Sequence, residues 1–504
     1  MDRINQIEMT LERCRLAQSE WVALSSRDRE RILLQIGAQI EDNLQDLIQV
    51  IINETGKPRL EIISSEILSV VELIRYYAMN SQRILRSRKL SWNALTPHKI
   101  SKKFYLPLGV VGIISPWNFP FSIPMGETLT ALFAGNGILL KPSEFTPRIS
   151  LWMDEFFKSS SLPPNLVQVL HGGVELGKAL VESSVDKILF TGSVPTGRKI
   201  GAKCGELLKA CSLELGGKDA MVVCADADLD LAVEGACWGS MMNSGQACAS
   251  IERILVHESI ADVFMNKLKD LVESLRSEES SPAYESTELG RIIASKQVEV
   301  YKEQLQEFNG GHGKVLTGGS LSAKEERLQP TIVLCEGGEK VWKEESFGPV
   351  VAIKKFISEE EAILMANDSP FGLLASVWSR DEKRAQKIAM RLEAGTILIN
   401  DCVYTHAIPQ IPWFGVKSSG YGSAVHGEEG LLALVQMRQV HYDRFGFPLL
   451  RPIWWFPYEN WKFELLKALI TWRNPSSKAK MRELPNLLKG FWGWLESWWG
   501  RRKG

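Results

Sequence analysis

The sequence has little that could bind a metal ion or form a disulfide framework. It contains 7 histidines in 504 residues, and its eight cysteines are scattered, with no Cys-x-x-Cys pair and no histidine cluster beside them. This spacing argues against a structural zinc site and against a disulfide-stabilised domain. A strong charge of either sign is also missing, because 59 Lys and Arg residues oppose 60 Asp and Glu residues. The balance gives no general reason to expect nucleic-acid binding.

Long apolar runs are absent as well. No uninterrupted run approaches the ~18 residues of a membrane span, and residues 2–13 are charged and amphipathic where a signal peptide would be apolar. We therefore expect a cytoplasmic protein. Charged residues make up 24% of the chain and apolar residues 45%, which is typical of a globular protein. Since 504 residues exceed one hydrophobic core, two or three packed domains are expected.

The order of apolar patterns predicts an α/β fold. In about the first 85 residues, apolar positions recur at intervals of three and four, as in Ile32, Leu33, Ile36, Ile40 and Leu44, which predicts helices. From Phe104 onward, short β-branched runs alternate with helical stretches and glycines. Such runs are typical of parallel strands buried on both faces. The predicted strands are 109–115, 137–141, 167–170, 187–191, 219–224, 253–257, 350–356 and 396–400.

Residues 441–504 form a tail of different composition. Eight of the 16 tryptophans lie in residues 451–504, and the tail carries 12 Lys and Arg residues against 5 Asp and Glu residues. Apolar residues recur at three and four along it, so we expect two helices that each have an apolar face. The two faces are Trp461, Leu465, Leu466, Leu469 and Ile470, and then Leu484, Leu487, Leu488, Phe491, Trp492, Leu495, Trp498 and Trp499.

Two interpretations of this tail remain open. An apolar helical face most often packs on protein, here on the body of the molecule or on a partner subunit. Tryptophan beside excess Lys and Arg is also typical of a helix that lies in a membrane interface, with basic residues near anionic lipid. A membrane surface is therefore a candidate partner, bound peripherally.

Several segments have the chemistry of a nucleotide site. The sequence FTGSVPTG at 190–197 follows a predicted strand and precedes a helix, so its glycines and the helix N-terminus could approach a phosphate. Lys141 and Glu144, directly after another predicted strand, could bind ribose hydroxyls. A competing phosphate motif at 172–179 resembles a Walker A loop, but Ala179 lacks the hydroxyl that magnesium needs.

Two further segments could act on a carbonyl group. Asn118 lies between two prolines and two aromatic residues, and a fixed amide donor of this kind can stabilise an oxyanion. The small and polar residues before Cys248 form a loop that could present its sulfur and backbone N–H together. The alternatives are a turn residue at Asn118 and a small buried residue at Cys248.

Together, these motifs and their order resemble the aldehyde dehydrogenase superfamily from about residue 54 to about residue 440. The shared motifs are PWNFP at 116–120, KPSE at 141–144, FTGS at 190–193, ELGGK at 214–218, GQAC at 245–248 and EESFGP at 344–349. One departure is PWFG at 412–415, where Phe414 replaces a glycine of the family pattern. That loop borders the family's substrate tunnel, so substrate preferences of the family do not transfer directly.

The resemblance implies hydrolytic, non-acylating oxidation of an aldehyde to a carboxylic acid with NAD, NADP being the alternative cofactor. Cys248 would attack the carbonyl carbon, Asn118 and the Cys248 backbone N–H would hold the oxyanion, and Glu214 would activate water against the thioester. Relatives that transfer the acyl group to coenzyme A generally lack this glutamate. No metal is implied.

By the same resemblance, Lys141 and Glu144 would hold the adenosine ribose, Ser193 a phosphate, Glu345 the nicotinamide ribose, and Phe347 the side of the nicotinamide. The remaining cofactor-binding residues implied are Ser115, Trp117, Ser143, Gly173, Phe190, Gly192 and Leu215. The tunnel positions would be Ile123, Gly126, Met242 and Trp413, which predict an apolar medium- or long-chain or aromatic aldehyde as substrate. The alternatives are a semialdehyde dehydrogenase and a catalytically silent structural member.

The family's architecture implies two parallel-sheet α/β domains, a small β arm for oligomerisation and, in this chain, the helical tail. We expect an NAD-binding domain at 1–215, interrupted by the arm at about 86–104, and a catalytic domain at 216–412. Residues 413–440 would form a return segment and an oligomerisation strand, and 441–504 the tail. A homodimer or homotetramer follows from the arm.

Overall fold

The computed structural model describes residues 3–91, 96, 98–276, 287–310, 313–320, 328–444, 454–478 and 480–500. The side chains of residues 309, 310, 406, 491 and 494–500 lie outside this description. The chain divides into two compact units. Unit 1 comprises residues 1–85 and 106–436, and unit 2 comprises residues 86–105 and 437–504.

Helices and strands alternate along much of the chain. The helices are α1 (Arg3–Ala23), α2 (Ser26–Asp42), α3 (Leu44–Thr55), α4 (Arg59–Glu61), α5 (Leu68–Ile84), α6 (Ser122–Phe133), α7 (Pro147–Ser159), α8 (Val174–Glu182), α9 (Val194–Glu206), α10 (Leu229–Met241), α11 (Glu258–Glu273), α12 (Lys296–Gln306), α13 (Lys340–Lys343), α14 (Glu359–Asn367), α15 (Glu382–Ala389), α16 (Gly427–Leu432), α17 (Asn460–Arg473) and α18 (Lys480–Gly500). The strands are β1 (Arg88–Lys89), β2 (Lys99–Pro107), β3 (Val110–Ile114), β4 (Gly137–Lys141), β5 (Val167–Val169), β6 (Lys187–Thr191), β7 (Ala210–Glu214), β8 (Asp219–Val223), β9 (Ile251–His257), β10 (Lys314–Thr317), β11 (Thr331–Leu334), β12 (Val350–Phe356), β13 (Leu374–Trp378), β14 (Thr396–Ile399), β15 (Gly420–Tyr421) and β16 (Val435–Asp443). Short turns of other helix types occupy Ile62–Ile67 (π) and Met242–Gly245, Glu307–Gly310, Tyr404–Ala407 and Lys417–Ser419 (3-10).

The first sheet of unit 1 has the order β15-β7-β6-β3-β4-β5. Its strands run parallel except β15, which pairs antiparallel with β7. All residues of β3 and β4 are buried, as expected for strands covered by helices on both faces. The strands predicted at 137–141 and 187–191 coincide with β4 and β6. The α/β fold class is thus confirmed.

The second sheet has the order β10-β11-β12-β9-β8-β13-β14 and is parallel except for β10. Its core consists mainly of Val, Ile, Leu and Ala side chains from these strands and from α10 and α11. Only residues 215–218 separate β7 of the first sheet from β8 of the second. This short connection brings the last residue of β7 close to the start of the second sheet.

The first 85 residues are helical, as predicted, with one difference in detail. The periodic run from Ile32 to Leu44 is divided at Asn43, which ends α2 and precedes α3. The Asn43 N–H group bonds to the Gln39 carbonyl, and its side-chain amide binds that same carbonyl. A polar residue that satisfies the end of a helix in this way favours a break in the helix.

Unit 2 contains the predicted arm and tail. In the sheet β1-β2-β16, β2 lies between the other two strands, and residues 92–95 and 97 of the arm lie outside the described residues. In the tail, residues 445–453 and 501–504 lie outside them too, and α17 and α18 pack on each other. A Cβ atom on Gly490 would lie 2.6 Å from the side chain of Leu465, and one on Gly493 would lie 3.3 Å from Trp461. Glycines therefore permit the close approach of these two helices.

The faces predicted for the tail helices are only partly the packed faces. Leu465 is buried, as are Lys462 and Ala468, which the apolar pattern did not include. Ile470, which the pattern placed on the apolar face, is 72% exposed. The side chains of Phe491, Leu495, Trp498 and Trp499 lie outside the described residues. None of the described helices is long and apolar enough to cross a bilayer.

Candidate active site

The candidate site lies where the parallel strands of the first sheet end. Ser115 follows β3, while Lys141, Thr191 and Glu214 are the last residues of β4, β6 and β7. The chain passes from β3 outward to β4 and β5, then returns to the other side of β3 for β6 and β7. In open α/β sheets, ligands bind outside the carboxyl ends of the strands where the strand order reverses. The predicted cofactor residues are distributed along this edge.

One pair of charged residues at this edge could bind hydroxyl groups. Lys141 Nζ donates to Glu144 Oε2 at 2.9 Å and to the Pro142 carbonyl at 3.1 Å. Burial opposes ionisation of Glu144, but the hydrogen bond and charge of Lys141 outweigh it and lower the pKa of Glu144. Ser143 is buried beside them, and its Oγ accepts from the Phe145 N–H at 3.3 Å. The Glu144 carboxylate is therefore ionised at neutral pH and available as an acceptor.

Two helices begin shortly after strands of this sheet, α8 after β5 and α9 after β6. Gly173 is the N-cap of α8, and a Cβ atom there would lie 3.7 Å from Glu144 Oε1. Ser193 is the N-cap of α9 and is exposed, with its Oγ 3.1 Å from Thr196 Oγ1. Free backbone N–H groups at helix N-termini attract anions such as phosphate. The donors and acceptors present fit the ribose and phosphates of a dinucleotide.

The turn after β6 is packed closely. A Cβ atom on Gly192 would lie 2.6 Å from the buried ring of Phe190, so a larger residue would displace that ring. The Gly192 N–H group donates to the Glu214 carbonyl, and the Leu215 N–H group donates to the Ser419 carbonyl, both at 2.9 Å. These bonds fix the end of β7 on both sides.

The amide of Asn118 is bonded directly to the loop that carries Cys248. Its Nδ2 donates to the Gln246 carbonyl at 3.0 Å. Asn243 Nδ2 donates to that carbonyl and to the Asn118 carbonyl, each at 3.0 Å. The Gln246 side chain is held in turn by the backbone of residues 243, 291 and 293. Asn118 is thus fixed to the buried residues that directly precede Cys248.

The loop before Cys248 has an unusual backbone. Asn243, Ser244 and Gly245 all have positive φ values, of 50°, 53° and 70°. Such conformations cost energy for residues other than glycine and are concentrated at functional sites. Gly217, at the start of the second sheet, approaches so closely that a Cβ atom there would lie 2.3 Å from the Cys248 carbonyl oxygen. This approach requires glycine within the ELGGK motif.

The surroundings of Cys248 hold its sulfur in the protonated form. Burial raises the pKa of the thiol well above its ordinary value, and the carboxylates of Asp219, Glu345 and Glu214 raise it further. A hydrogen bond with the Ala249 backbone acts in the opposite direction. The thiol therefore needs a positive charge or a base nearby before it can act as a nucleophile.

Glu214 has the environment of a general base. It is buried at the end of β7, and no described residue makes a hydrogen bond with its Oε2. Burial, and then the charge of Glu127, raises its pKa well above the ordinary value. A buried carboxyl group with a raised pKa binds a proton more tightly than an exposed one, which suits a group that takes a proton from water.

Glu345 and Phe347 are fixed by a buried ion pair. Lys218 Nζ binds Glu252 at 2.5 Å, and Glu252 accepts from the backbone N–H groups of Ser346 and Phe347 at 2.7 and 2.9 Å. Glu345 accepts from the Gly217 N–H at 3.0 Å, and burial raises its pKa to about 8. The Phe347 ring contacts the Trp117 ring edge-on, with centroids 5.4 Å apart.

Sequence reasoning missed two acidic residues that support the site. Glu66 binds Lys57, and its Oε2 accepts from the N–H groups of Phe121 and Ser122 at 3.1 and 2.8 Å. Glu61 accepts from the Asn243 N–H at 2.9 Å, and burial raises its pKa to about 7. The sequence did contain a signal, since two glutamates stand among isoleucines. An acidic group that is buried among apolar residues must be paired, so such glutamates indicate partners elsewhere in the fold.

The four predicted tunnel positions have different surroundings. Gly126 lines a cavity together with Ser69, Val70, Leu73, Ser122, Pro409 and His426. Ile123 and Met242 are buried in the surrounding core. Trp413 is almost fully buried and pairs with Val425 through an isolated backbone bridge. Phe414, the departure from the family pattern, is exposed.

Comparisons with known proteins agree with this geometry. A sequence model of the aldehyde dehydrogenase family matches residues 3–440. A 4,4'-diapolycopene aldehyde oxidase of Methylomonas is 34% identical over 470 residues, covering 92% of this chain and 86% of that protein. The peroxisomal aminoaldehyde dehydrogenase 2 of Pisum sativum is 35% identical over 432 residues, covering 84% of each chain. A solved NAD+ complex of a Bacillus cereus aldehyde dehydrogenase has a TM-score of 0.82 at 30% identity, covering 88% of this chain and 89% of that one.

Proposed function

The chain belongs to the aldehyde dehydrogenase family and uses NAD or NADP, and we propose that it oxidises apolar aldehydes of medium or long chain, or aromatic ones, with NAD. The observation that carries the proposal is the hydrogen bond from Asn118 Nδ2 to the Gln246 carbonyl, two residues before Cys248. It fixes an amide donor against the loop that carries the Cys248 thiol and its backbone N–H. This combination suits attack on a carbonyl carbon.

The proposed reaction begins when the Cys248 thiol loses its proton to water and its sulfur attacks the aldehyde carbon. The oxygen becomes negatively charged, and Asn118 Nδ2 with the Cys248 N–H holds it. A bound nicotinamide, which Glu345 and Phe347 would hold, would supply a positive charge and a hydride acceptor, so that the thiohemiacetal on Cys248 could become a thioester. Glu214 then takes a proton from water, which attacks the thioester carbon. The carbon–sulfur bond breaks, its electrons return to Cys248, and the carboxylic acid leaves.

We propose NAD in preference to NADP because of the charge at Glu144. Its lowered pKa keeps this carboxylate ionised, so it accepts a hydrogen bond from a ribose 2′-hydroxyl and repels a 2′-phosphate. Lys141 is already engaged by Glu144 and by the Pro142 carbonyl, which limits its ability to offset the repulsion.

Support for an apolar substrate comes from the cavity beside Gly126. Among the described residues that line it, none is acidic and none is Lys or Arg. An aminoaldehyde carries an ammonium group, which would need a carboxylate or aromatic partner there. A semialdehyde carries a carboxylate, for which His426 is the one basic side chain among the described lining residues, and it carries a charge only when protonated. Each buried methylene of an alkyl chain gains about 0.8 kcal/mol, so kcat/KM should rise with chain length until the cavity is filled.

The relatives favour two different substrate classes, and one panel separates them. The name of the Methylomonas protein refers to a diapolycopene aldehyde, and that of the pea protein to aminoaldehydes. We expect kcat/KM, measured by NADH absorbance, to be higher for octanal and decanal than for acetaldehyde, 4-aminobutanal and succinic semialdehyde. Better turnover of acetaldehyde or 4-aminobutanal would reject the apolar assignment. Absence of turnover with every aldehyde would favour a catalytically silent protein.

We also propose that the tail binds anionic membrane surfaces. The turn before α17 presents four exposed aromatic side chains in five residues, with Phe456 77% and Tyr458 75% exposed. Lys462 Nζ holds this turn by donating to the carbonyls of Trp455 and Pro457 at 2.8 and 2.6 Å. Aromatic rings partition to the headgroup region, and the excess of seven basic residues in 441–504 suits anionic lipid.

The Methylomonas relative offers a second argument about the tail. Its match covers 92% of this chain, whereas residues 1–440 make up less than nine-tenths of it, so the match extends beyond residue 440. A protein that acts on a lipophilic aldehyde would gain from contact with a bilayer.

Oligomerisation through the family's β arm, as a dimer or tetramer, is a separate proposal that light scattering of the purified chain would test.

Co-sedimentation tests the membrane proposal. We expect the full chain to sediment with vesicles of phosphatidylglycerol and phosphatidylcholine at low salt, and a chain truncated after Asp443 to remain in the supernatant. Phosphatidylcholine vesicles alone serve as the control for charge. If neither chain sediments with anionic vesicles, and truncation changes the molar mass in light scattering, the tail is an oligomerisation element instead.

A further inference from the structure

A buried glutamate that the reaction above does not use lies next to its base. All residues of α6 are buried, and Glu127 is the one acidic residue among them. Its carboxyl group accepts from Thr191 Oγ1 at 2.9 Å and from Ser115 Oγ at 3.3 Å. Ser115 and Thr191 stand at the ends of neighbouring strands, β3 and β6. Glu127 is therefore held against the carboxyl edge of the first sheet, directly beneath the candidate site.

The strand register brings Glu214 to the same place. Thr191 and Glu214 are paired across β6 and β7, which run parallel. Paired residues on neighbouring strands point to the same face of a sheet, so the Glu214 side chain lies on the face where Thr191 meets Glu127. The Thr191 hydroxyl donates to Glu127, and its lone pairs can accept a proton from Glu214.

Two buried polar atoms beside Glu127 make no hydrogen bond with any described residue. They are Glu214 Oε2 and the Oγ of Ser212, two positions earlier on β7 and thus on the same face. Glu127, Ser212 and His426 all line one cavity. A cavity with the Ser212 hydroxyl and the Glu127 carboxyl in its wall can hold water that bonds to them. The arrangement suits proton movement better than it suits stability, because unpaired buried polar atoms are costly.

The two carboxyl groups influence each other. Burial raises the pKa of Glu127 to about 7, although the hydrogen bonds of Thr191 and Ser115 oppose this. Burial and the charge of Glu127 raise the pKa of Glu214. The other titratable groups that face this pair are the Cys248 thiol, whose own pKa Glu214 raises, and His426 on the cavity wall. Two such carboxyl groups titrate as a coupled pair.

We propose that Glu127 is a positioning residue for deacylation. Through the Thr191 hydroxyl, Glu127 takes up the proton that Glu214 removes from the hydrolytic water. The proposal rests on the proposed dehydrogenase reaction. An O–H bond of water breaks as its oxygen bonds to the thioester carbon, and the proton passes to Glu214. Thr191 accepts this proton while giving its own to Glu127. Glu214 is restored as carboxylate, and Glu127 releases the proton to solvent through the cavity.

The variant Glu127→Gln tests this role, because glutamine keeps the shape and can still bond to both hydroxyls. We expect an unchanged first burst of NADH, since the burst precedes deacylation, and a steady-state kcat lower by about 10- to 100-fold. The rise of the remaining kcat with pH should move to lower pH, because Glu214 loses a negatively charged neighbour. The Kd for NAD should stay unchanged.

A pair of variants at Thr191 provides the matched control. Thr191→Val removes the hydroxyl and should reproduce the slow steady state, whereas Thr191→Ser keeps the hydroxyl and should approach the native rate. A native kcat and pH profile in Glu127→Gln would overturn the proposal, as would equal loss of burst and steady state. If the glutamine variant does not fold, native turnover by Thr191→Val would overturn it. Failure of the native chain to reduce NAD with any aldehyde would instead reject the proposed function.

Discussion

The buried ion pair between Lys57 and Glu66 should be essential for both stability and activity. Their side chains are 2% and 0% exposed, and the Lys57 Nζ also lies 4.1 Å from the ring centroid of Phe119. Glu66 caps the backbone directly after Asn118 through the N–H groups of Phe121 and Ser122. Replacement of Lys57 by methionine keeps the apolar stem and removes the charge. It leaves the Glu66 carboxylate buried with only backbone donors.

The expected cost can be estimated from this geometry. Removal of one partner from a buried ion pair typically costs about 3–5 kcal/mol. Because two backbone N–H groups still serve the carboxylate, we expect the lower end, about 3 kcal/mol. Unit 1 contains 416 residues. At an unfolding entropy of about 2.1 cal/mol/K per residue, a loss of about 3 kcal/mol lowers its Tm by about 3–4 °C, which is the loss expected for Lys57→Met. It should also lower kcat, since the backbone beside Asn118 loses its anchor.

Scanning calorimetry at one fixed scan rate measures this effect. Lys178→Met is the matched control, because the Lys178–Glu175 pair is mostly exposed, at 63% and 62%, and such pairs contribute about 0–1 kcal/mol. The double variant Lys57→Met/Glu66→Gln should recover part of the loss, as it leaves no unpaired charge. Equal Tm values for Lys57→Met and Lys178→Met would refute the reasoning. A double variant less stable than Lys57→Met would show that the unpaired charge is not the cause.

Four further outcomes are expected. Cys248→Ala should abolish dehydrogenase activity and keep NAD binding measurable by fluorescence, so residual turnover would exclude Cys248 as the nucleophile. Glu214→Gln should give a burst of NADH without sustained turnover in stopped-flow absorbance, and a native steady state would show that another group is the base. Glu144 should make kcat/KM higher with NAD than with NADP, and an equal or higher value with NADP would contradict this. The raised pKa of Glu127 means that the folded state binds its proton more tightly than the unfolded state, so this group's contribution to stability falls as pH rises from about 4.5 to about 7. The free energy of unfolding of Glu127→Gln should therefore exceed that of the native chain by about 3 kcal/mol at pH 8 and by little at pH 4.5. An equal difference in Tm at both pH values would contradict this prediction.

The sequence was most informative where burial dictates composition. The run at 137–141 is apolar except for its last residue, and it coincides with β4, since a strand covered on both faces leaves no room for polar side chains. The strand β15 was not predicted, because two residues contain no periodicity. Its place beside β7 depends on a partner 206 positions earlier in the chain, which no local pattern records.

The supporting residues of the site were less predictable than the reacting ones. Cys248 and Asn118 stand in loops whose small, rigid or polar composition is unusual for a core. Glu66 and Glu127 lie in helical segments that otherwise look like ordinary core, and their partners are backbone N–H groups and hydroxyls from distant parts of the chain. Their signal was present, since an acidic residue inside an apolar helix needs a partner. The sequence could not indicate which partner.

The antiparallel pairing of Gly420 with Glu214 has a consequence for the order of folding. The whole second sheet, from Asp219 to Ile399, is synthesised after β7 and before β15. A nascent chain can therefore complete its second sheet while β7 still offers an unpaired edge, with Glu214 at the end of that edge. The last step in assembling the base would then be the arrival of two residues from the far end of the chain. Truncations or stalled products that end before Gly420 would carry an open, aggregation-prone strand at the very place where deacylation should occur.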